Sequence, residues 1–123
     1  MTQLTEHFSE KEFACKCGCN KGLISQELVT KLEEIRVKFG KVMKVTSGVR
    51  CLKHNWDIGS RNTSSHIPNE DGIGRAADIL CTDIGTRFEL LPLMLEKFER
   101  VGINKKFIHV DVDYNKQSGV FVY

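Results

Sequence analysis

A chain of 123 residues, 41% hydrophobic with only two prolines, has the size and composition of one compact domain spanning residues 1–123, and excludes a disordered or collagen-like polymer. Lys+Arg 18 against Asp+Glu 16 leaves a net charge of +2, and no Lys/Arg run exceeds two residues, so a nucleic-acid partner is not expected. No stretch approaches the ~20 apolar residues of a membrane helix, and Met1 to Glu10 has neither a basic start nor an apolar core. The expectation is a protein made in the cytoplasm without a signal peptide, with no membrane partner, acting as a monomer.

Along the chain, Ser9 followed by Glu12 has capping-box spacing and predicts one short helical turn ending near Phe13. A cysteine-rich loop follows through Gly22. Ser25 then caps a long helix to Phe39, with Leu28, Leu32, Ile35 and Phe39 on one face, and Gly40 ends it. Val42 to Thr46 reads as a strand. The polar stretch from Arg50 to Ser65 has no clear period and is where a functional loop is expected.

Ala76 to Leu80 is a buried strand carrying one acid, Asp78. A second long helix is expected from Thr86 to Arg100, with Phe88, Leu91, Leu95 and Phe98 on its packed side and a kink or late start at Pro92. Phe107 to Val112 alternates strongly, and Gly119 to Tyr123 is expected to return as its antiparallel partner across a turn at Asn115 to Ser118. The order of elements predicts an α+β domain with a small, mainly antiparallel sheet and helices packed on it.

Cysteines at 15, 17, 19, 51 and 81 are odd in number, which argues against a complete disulfide framework and for reduced thiols or a metal site. The thiols of Cys15, Cys17 and Cys19, with a fourth from Cys51 or Cys81, could hold a structural zinc, although C-x-C spacing suits zinc less well than C-x-x-C.

The alternating strand places Ile108, Val110 and Val112 on one face and Phe107, His109, Asp111 and Asp113 on the other. Asp78, flanked by Ala76, Ala77, Ile79 and Leu80, would carry a large desolvation cost unless paired or metal-bound. His66, Asp78 and His109 together make a three-ligand set of the kind that holds catalytic zinc.

Ser64-x-His66, Gly74-x-Ala76-x-Asp78 and Phe107-Ile108-His109-Val110-Asp111, with Ser47-Gly48-Val49-Arg50 and His54-Asn55 upstream, resemble the zinc D-alanyl-D-alanine carboxypeptidases. These are peptidoglycan peptidases that share a zinc site with lysostaphin and the hedgehog signalling domain. The resemblance is greatest to short, phage- or prophage-encoded members and runs from Phe8 through Phe121. It implies a hedgehog-like fold, zinc on His66, Asp78 and His109, substrate binding and carbonyl polarisation by Arg50, and a place for His54 and Asn55 in the same substrate-binding motif. It also implies action on cell-wall stem peptides, at a D-Ala-D-Ala end or at an internal bond.

The chain departs from the family pattern twice. Eleven residues, Ile67 through Ala77, separate His66 from Asp78, longer than the usual spacing, with the extra length at Pro68 to Gly72. Lys106 stands where many relatives place an acidic general base, and a charged lysine cannot accept a proton. Asp111, two residues along the strand from His109, is the candidate base, with Glu70 or Asp71 of the inserted loop as substitutes. Asp111 could equally be a carboxylate that orients an imidazole. A non-catalytic zinc module of the same fold is the alternative to the peptidase.

Overall fold

The computed structural model describes residues 2–17, 23–51, 55–56, 58–59, 64–68 and 71–123. His54, Cys19 and Glu70 therefore lie outside the described residues. The fold is α+β: helices α1 (Glu10–Phe13), α2 (Gln26–Phe39) and α3 (Ile84–Lys97) with strands β1 (Val45–Ser47), β2 (Ala76–Leu80), β3 (Arg100–Ile103), β4 (Phe107–Asp111) and β5 (Gly119–Val122). The strands form one sheet in the order β1-β2-β4-β3-β5, antiparallel throughout except where β5 runs parallel to β3.

Local chemistry sets the helix ends. Ser9 and Glu12 form the expected capping box on α1, Ser25 Oγ accepts from Leu28 N at the start of α2, and Gly40 closes that helix at φ 73°, a left-handed conformation that costs glycine little. The apolar stripe of α2, Leu28, Leu32 and Ile35, packs against Ala77, Ile79, Ile108 and Val110 from the inner face of the sheet.

Four expectations need correction. The second long helix starts at Ile84 rather than Thr86 because Asp83 caps it, its carboxylate accepting from Thr86 N over 2.9 Å. Of the expected face, Phe98 is buried and Leu91 packs against the core, while Phe88 is 83% exposed and Leu95 is also exposed; within the helix the buried residues are Leu90 and Met94. The helix is apolar on more than one side, and docking onto the α2 side of the core selects the face. Pro92 lies within the helix. The carbonyl it leaves without an amide partner belongs to exposed Phe88, where water can satisfy it.

The third correction concerns the hairpin. Arg100, expected to end the helix, instead opens β3, which occupies the edge of β4 opposite β2. With both edges of β4 taken, β5 pairs in parallel with β3, Gly102 facing Phe121. The first strand also starts later than expected, at Val45, although Met43 ahead of it still enters the core.

Candidate metal centre

One face of the sheet is covered by helices and the other carries a row of residues in register. Asp78 pairs with His109, His109 with Gly102, and Gly102 with Phe121. The missing side chain at Gly102 makes room for the Phe121 ring, which a Cβ there would meet at 2.4 Å. That ring stacks against His109 with centroids 5.4 Å apart and carries the Arg100 guanidinium at 4.5 Å on its face.

His66 comes from the segment beyond the loop and is held over the same row. Arg50 N donates to the His66 carbonyl over 2.9 Å, and His66 N to Ser64 Oγ over 3.2 Å. The long spacing between His66 and Asp78 does not separate them: His66 Nε2 is 3.2 Å from Asp78 Oδ1, and His109 Nδ1 is 2.9 Å from the same oxygen. All three side chains are buried.

The outer nitrogens decide what the inner ones can do. His66 Nδ1 lies 2.6 Å from the Gly48 carbonyl, which only accepts, so Nδ1 carries the proton and Nε2 presents a lone pair when the ring is neutral. His109 Nε2 lies 2.7 Å from Asp111 Oδ2, so when that ring is neutral its proton sits there and Nδ1 presents the lone pair. Two imidazole lone pairs and a carboxylate oxygen thus converge within 4.8 Å of one another. Such a group repels itself unless a cation is shared among its members, and it is the donor set that zinc takes.

The charges respond accordingly. Burial lowers the His66 pKa, with Asp78 opposing. Burial also works against protonation of His109, but its hydrogen bonds to Asp111 and Asp78 prevail and raise its pKa. The two imidazoles outweigh burial at Asp78 and hold its carboxyl far below the usual range.

A cleft of about 950 Å³ opens over this group. Arg50 lines it, 8% exposed, with Nη2 donating to Ser64 Oγ over 3.3 Å and Nε without a protein acceptor among the described residues. Lys16, Arg100 and Lys116 add three further cations to the lining, and Asp78 is its sole carboxylate among the described residues. Tyr123 also lines it, its phenol pushed up to about 12 by burial and by the charge of Asp78. Sequence reasoning misses Arg100, Lys16, Lys116 and Tyr123; none belongs to a motif, and only the topology brings them to one cleft.

Asp111 is not in the cleft. Its side chain is fully enclosed behind His109, with Oδ2 also accepting from Arg100 Nη1 over 2.6 Å and Oδ1 accepting from Asp113 N over 3.1 Å. Asp71 is bound by Arg75 Nη2 and Ile73 N. Asn55 is buried, its backbone N–H on the Cys51 carbonyl, and is not part of the lining. Cys51, rather than Cys81, joins Cys15 and Cys17. Cys81 lies in the hydrophobic core, where burial raises its thiol pKa.

A buried two-histidine, one-carboxylate group at the base of an open cleft on an α+β sheet is the arrangement of a metallohydrolase. The chain matches the family model of Peptidase M15 over residues 6–111 and belongs to that family, whose members are zinc-dependent peptidases, broadly of the peptidoglycan-acting type. Among curated proteins, none matches the chain. No described helix is long and apolar enough to cross a membrane.

Proposed function

We propose that this protein hydrolyses a peptide bond in peptidoglycan stem peptides, with zinc held by His66 Nε2, Asp78 and His109 Nδ1. The observation that carries the reading is the convergence of two imidazole nitrogens and a carboxylate oxygen at the base of a cationic cleft. When bound there, zinc supplies Lewis acidity toward the scissile carbonyl and acidifies a water at neutral pH.

The remaining work falls to the chain's own groups. Arg50, always charged and with Nε unspent, donates to the carbonyl oxygen as negative charge develops there, or clamps a substrate carboxylate. Stem peptides carry free carboxylates, which suit a lining of Lys16, Arg50, Arg100 and Lys116. Tyr123, its phenol held protonated by burial and by the charge of Asp78, can donate a hydrogen bond to a substrate in the cleft. Asp111 serves as a positioning residue: it fixes the His109 tautomer that leaves Nδ1 toward Asp78. With Asp111 enclosed and Asp71 held by Arg75, the proton acceptor is assigned to Glu70. His54, on the stretch that follows Arg50, is proposed to bind substrate with it, whereas buried Asn55 is not. An origin in a phage or prophage fits a wall-degrading role for a member of this family.

The test is release of new amino groups from purified peptidoglycan by wild type, His66→Ala and Glu70→Gln, with zinc measured in each. Hydrolysis that disappears with zinc in His66→Ala, and disappears with zinc retained in Glu70→Gln, is the expected result. Wild type that holds zinc yet releases nothing would instead establish a non-catalytic zinc domain. The observation favouring that second reading is that Asp78 is the sole acid lining the cleft among the described residues.

A further inference from the structure

The segment leaving α1 and the segment leaving β1 are bound tightly together. Val49 N donates to the Phe13 carbonyl over 2.8 Å, and Gly48 lies so close that a Cβ there would sit 2.6 Å from that same oxygen. Cys51 N points at Cys15 Sγ over 3.5 Å. At this seam three sulfurs meet: Cys15 to Cys17 at 3.4 Å, Cys17 to Cys51 at 3.5 Å and Cys15 to Cys51 at 3.8 Å.

The near-equal triangle discriminates between the chemistries available to thiols. A disulfide draws two sulfurs to ~2.05 Å and leaves the third outside. A tetrahedral ion with metal–sulfur bonds of ~2.3 Å sets its ligands ~3.8 Å apart, and so uses all three at about the separations seen here. The Arg50 guanidinium, next in sequence to Cys51, interacts electrostatically with Cys15 and offsets negative charge gathered there.

We propose that Cys15, Cys17 and Cys51 bind a zinc ion as thiolates, forming a structural site separate from the His66–Asp78–His109 group. Each thiol releases its proton to solvent as its sulfur bonds the metal, and no oxidant is required. The ion clasps the α1 exit to the segment that carries Arg50, and so fixes the cationic wall on which Lys16 and Arg50 stand.

Metal content and cobalt substitution of the purified full chain test this. The expected result is ~2 metal ions per chain, with intense thiolate-to-cobalt charge-transfer absorption in the cobalt-loaded wild type. That absorption persists in His66→Ala and is lost, with about one metal equivalent, in Cys17→Ser. A chelator should lower the melting temperature of His66→Ala, which retains only the thiolate site. Cobalt-loaded wild type without thiolate charge transfer would overturn the proposal and needs no variant to fold. So would an intact mass lighter by one disulfide's two hydrogens, or a melting temperature of His66→Ala that ignores the chelator. Failure of the peptidase reading looks different: His66→Ala would keep its full metal content while the cysteine result stood.

Discussion

His109 Nε2 donates a hydrogen bond to Asp111, 2.7 Å away, and by doing so turns its other nitrogen, Nδ1, toward Asp78. The pair sits two residues apart on β4, yet Asp111 is sealed behind the imidazole while His109 looks into the cleft. Replacing Asp111 with Asn should therefore weaken zinc binding by about 10- to 100-fold, because an amide can present its NH2 as readily as its oxygen to Nε2 and, being neutral, no longer raises ligand basicity. A competition titration against a chromogenic chelator measures it. Unchanged zinc affinity with hydrolysis abolished would return Asp111 to the general-base role.

Gly48 is placed where a side chain has no room. An alanine Cβ would lie 2.6 Å from the Phe13 carbonyl oxygen and 2.7 Å from Phe13 Cα, both backbone atoms that cannot swing aside. Gly48→Ala should cost about 1–3 kcal/mol in chemical denaturation. It should also reduce zinc affinity, since the Gly48 carbonyl holds His66 Nδ1.

The face of α3 that packs can be read out by paired substitutions. Met94 is completely buried, so Met94→Ala should lose about 2–5 kcal/mol. Phe88→Ala, on the solvent side, should change stability by less than about 0.5 kcal/mol. The reverse order would restore the face that includes Phe88.

Glu33 ties the start of the chain to α2, accepting from His7 N over 2.7 Å and from His7 Nδ1. Burial opposes its charge, but the hydrogen bonds it accepts from His7 prevail and lower its pKa in the folded protein. A folded-state pKa below the unfolded one stabilises above the unfolded value and is lost as pH falls through the folded one. Glu33→Gln should then cost about 1 kcal/mol at neutral pH, with wild type and variant converging as Glu33 protonates in acid. Denaturant titrations at several pH values decide it; a pH-independent difference would mean that the charge of Glu33 contributes nothing.

What the sequence determines here is local or periodic. Ser9 with Glu12, and Ser25 with Gly40, mark helix ends because caps satisfy backbone groups within a few residues. Period-two alternation in β4 separates Ile108 and Val110, which enter the core, from His109, which faces the cleft. The single acid in the apolar run of β2 marks Asp78 by its desolvation cost alone. The same patterns do not say which strand pairs with which. β5 alternates equally well beside β4 or beside β3, and only the occupation of both β4 edges decides. Likewise Cys51 and Cys81 are equivalent as letters, and their positions in the fold put one sulfur 3.5 Å from Cys17 and the other in the core. Asp111 shares a strand face with His109 by period, but Arg100, brought alongside by β3, encloses it and turns a candidate base into a residue that aims an imidazole. Periodicity assigns a side chain to a face; long-range pairing decides what it meets there.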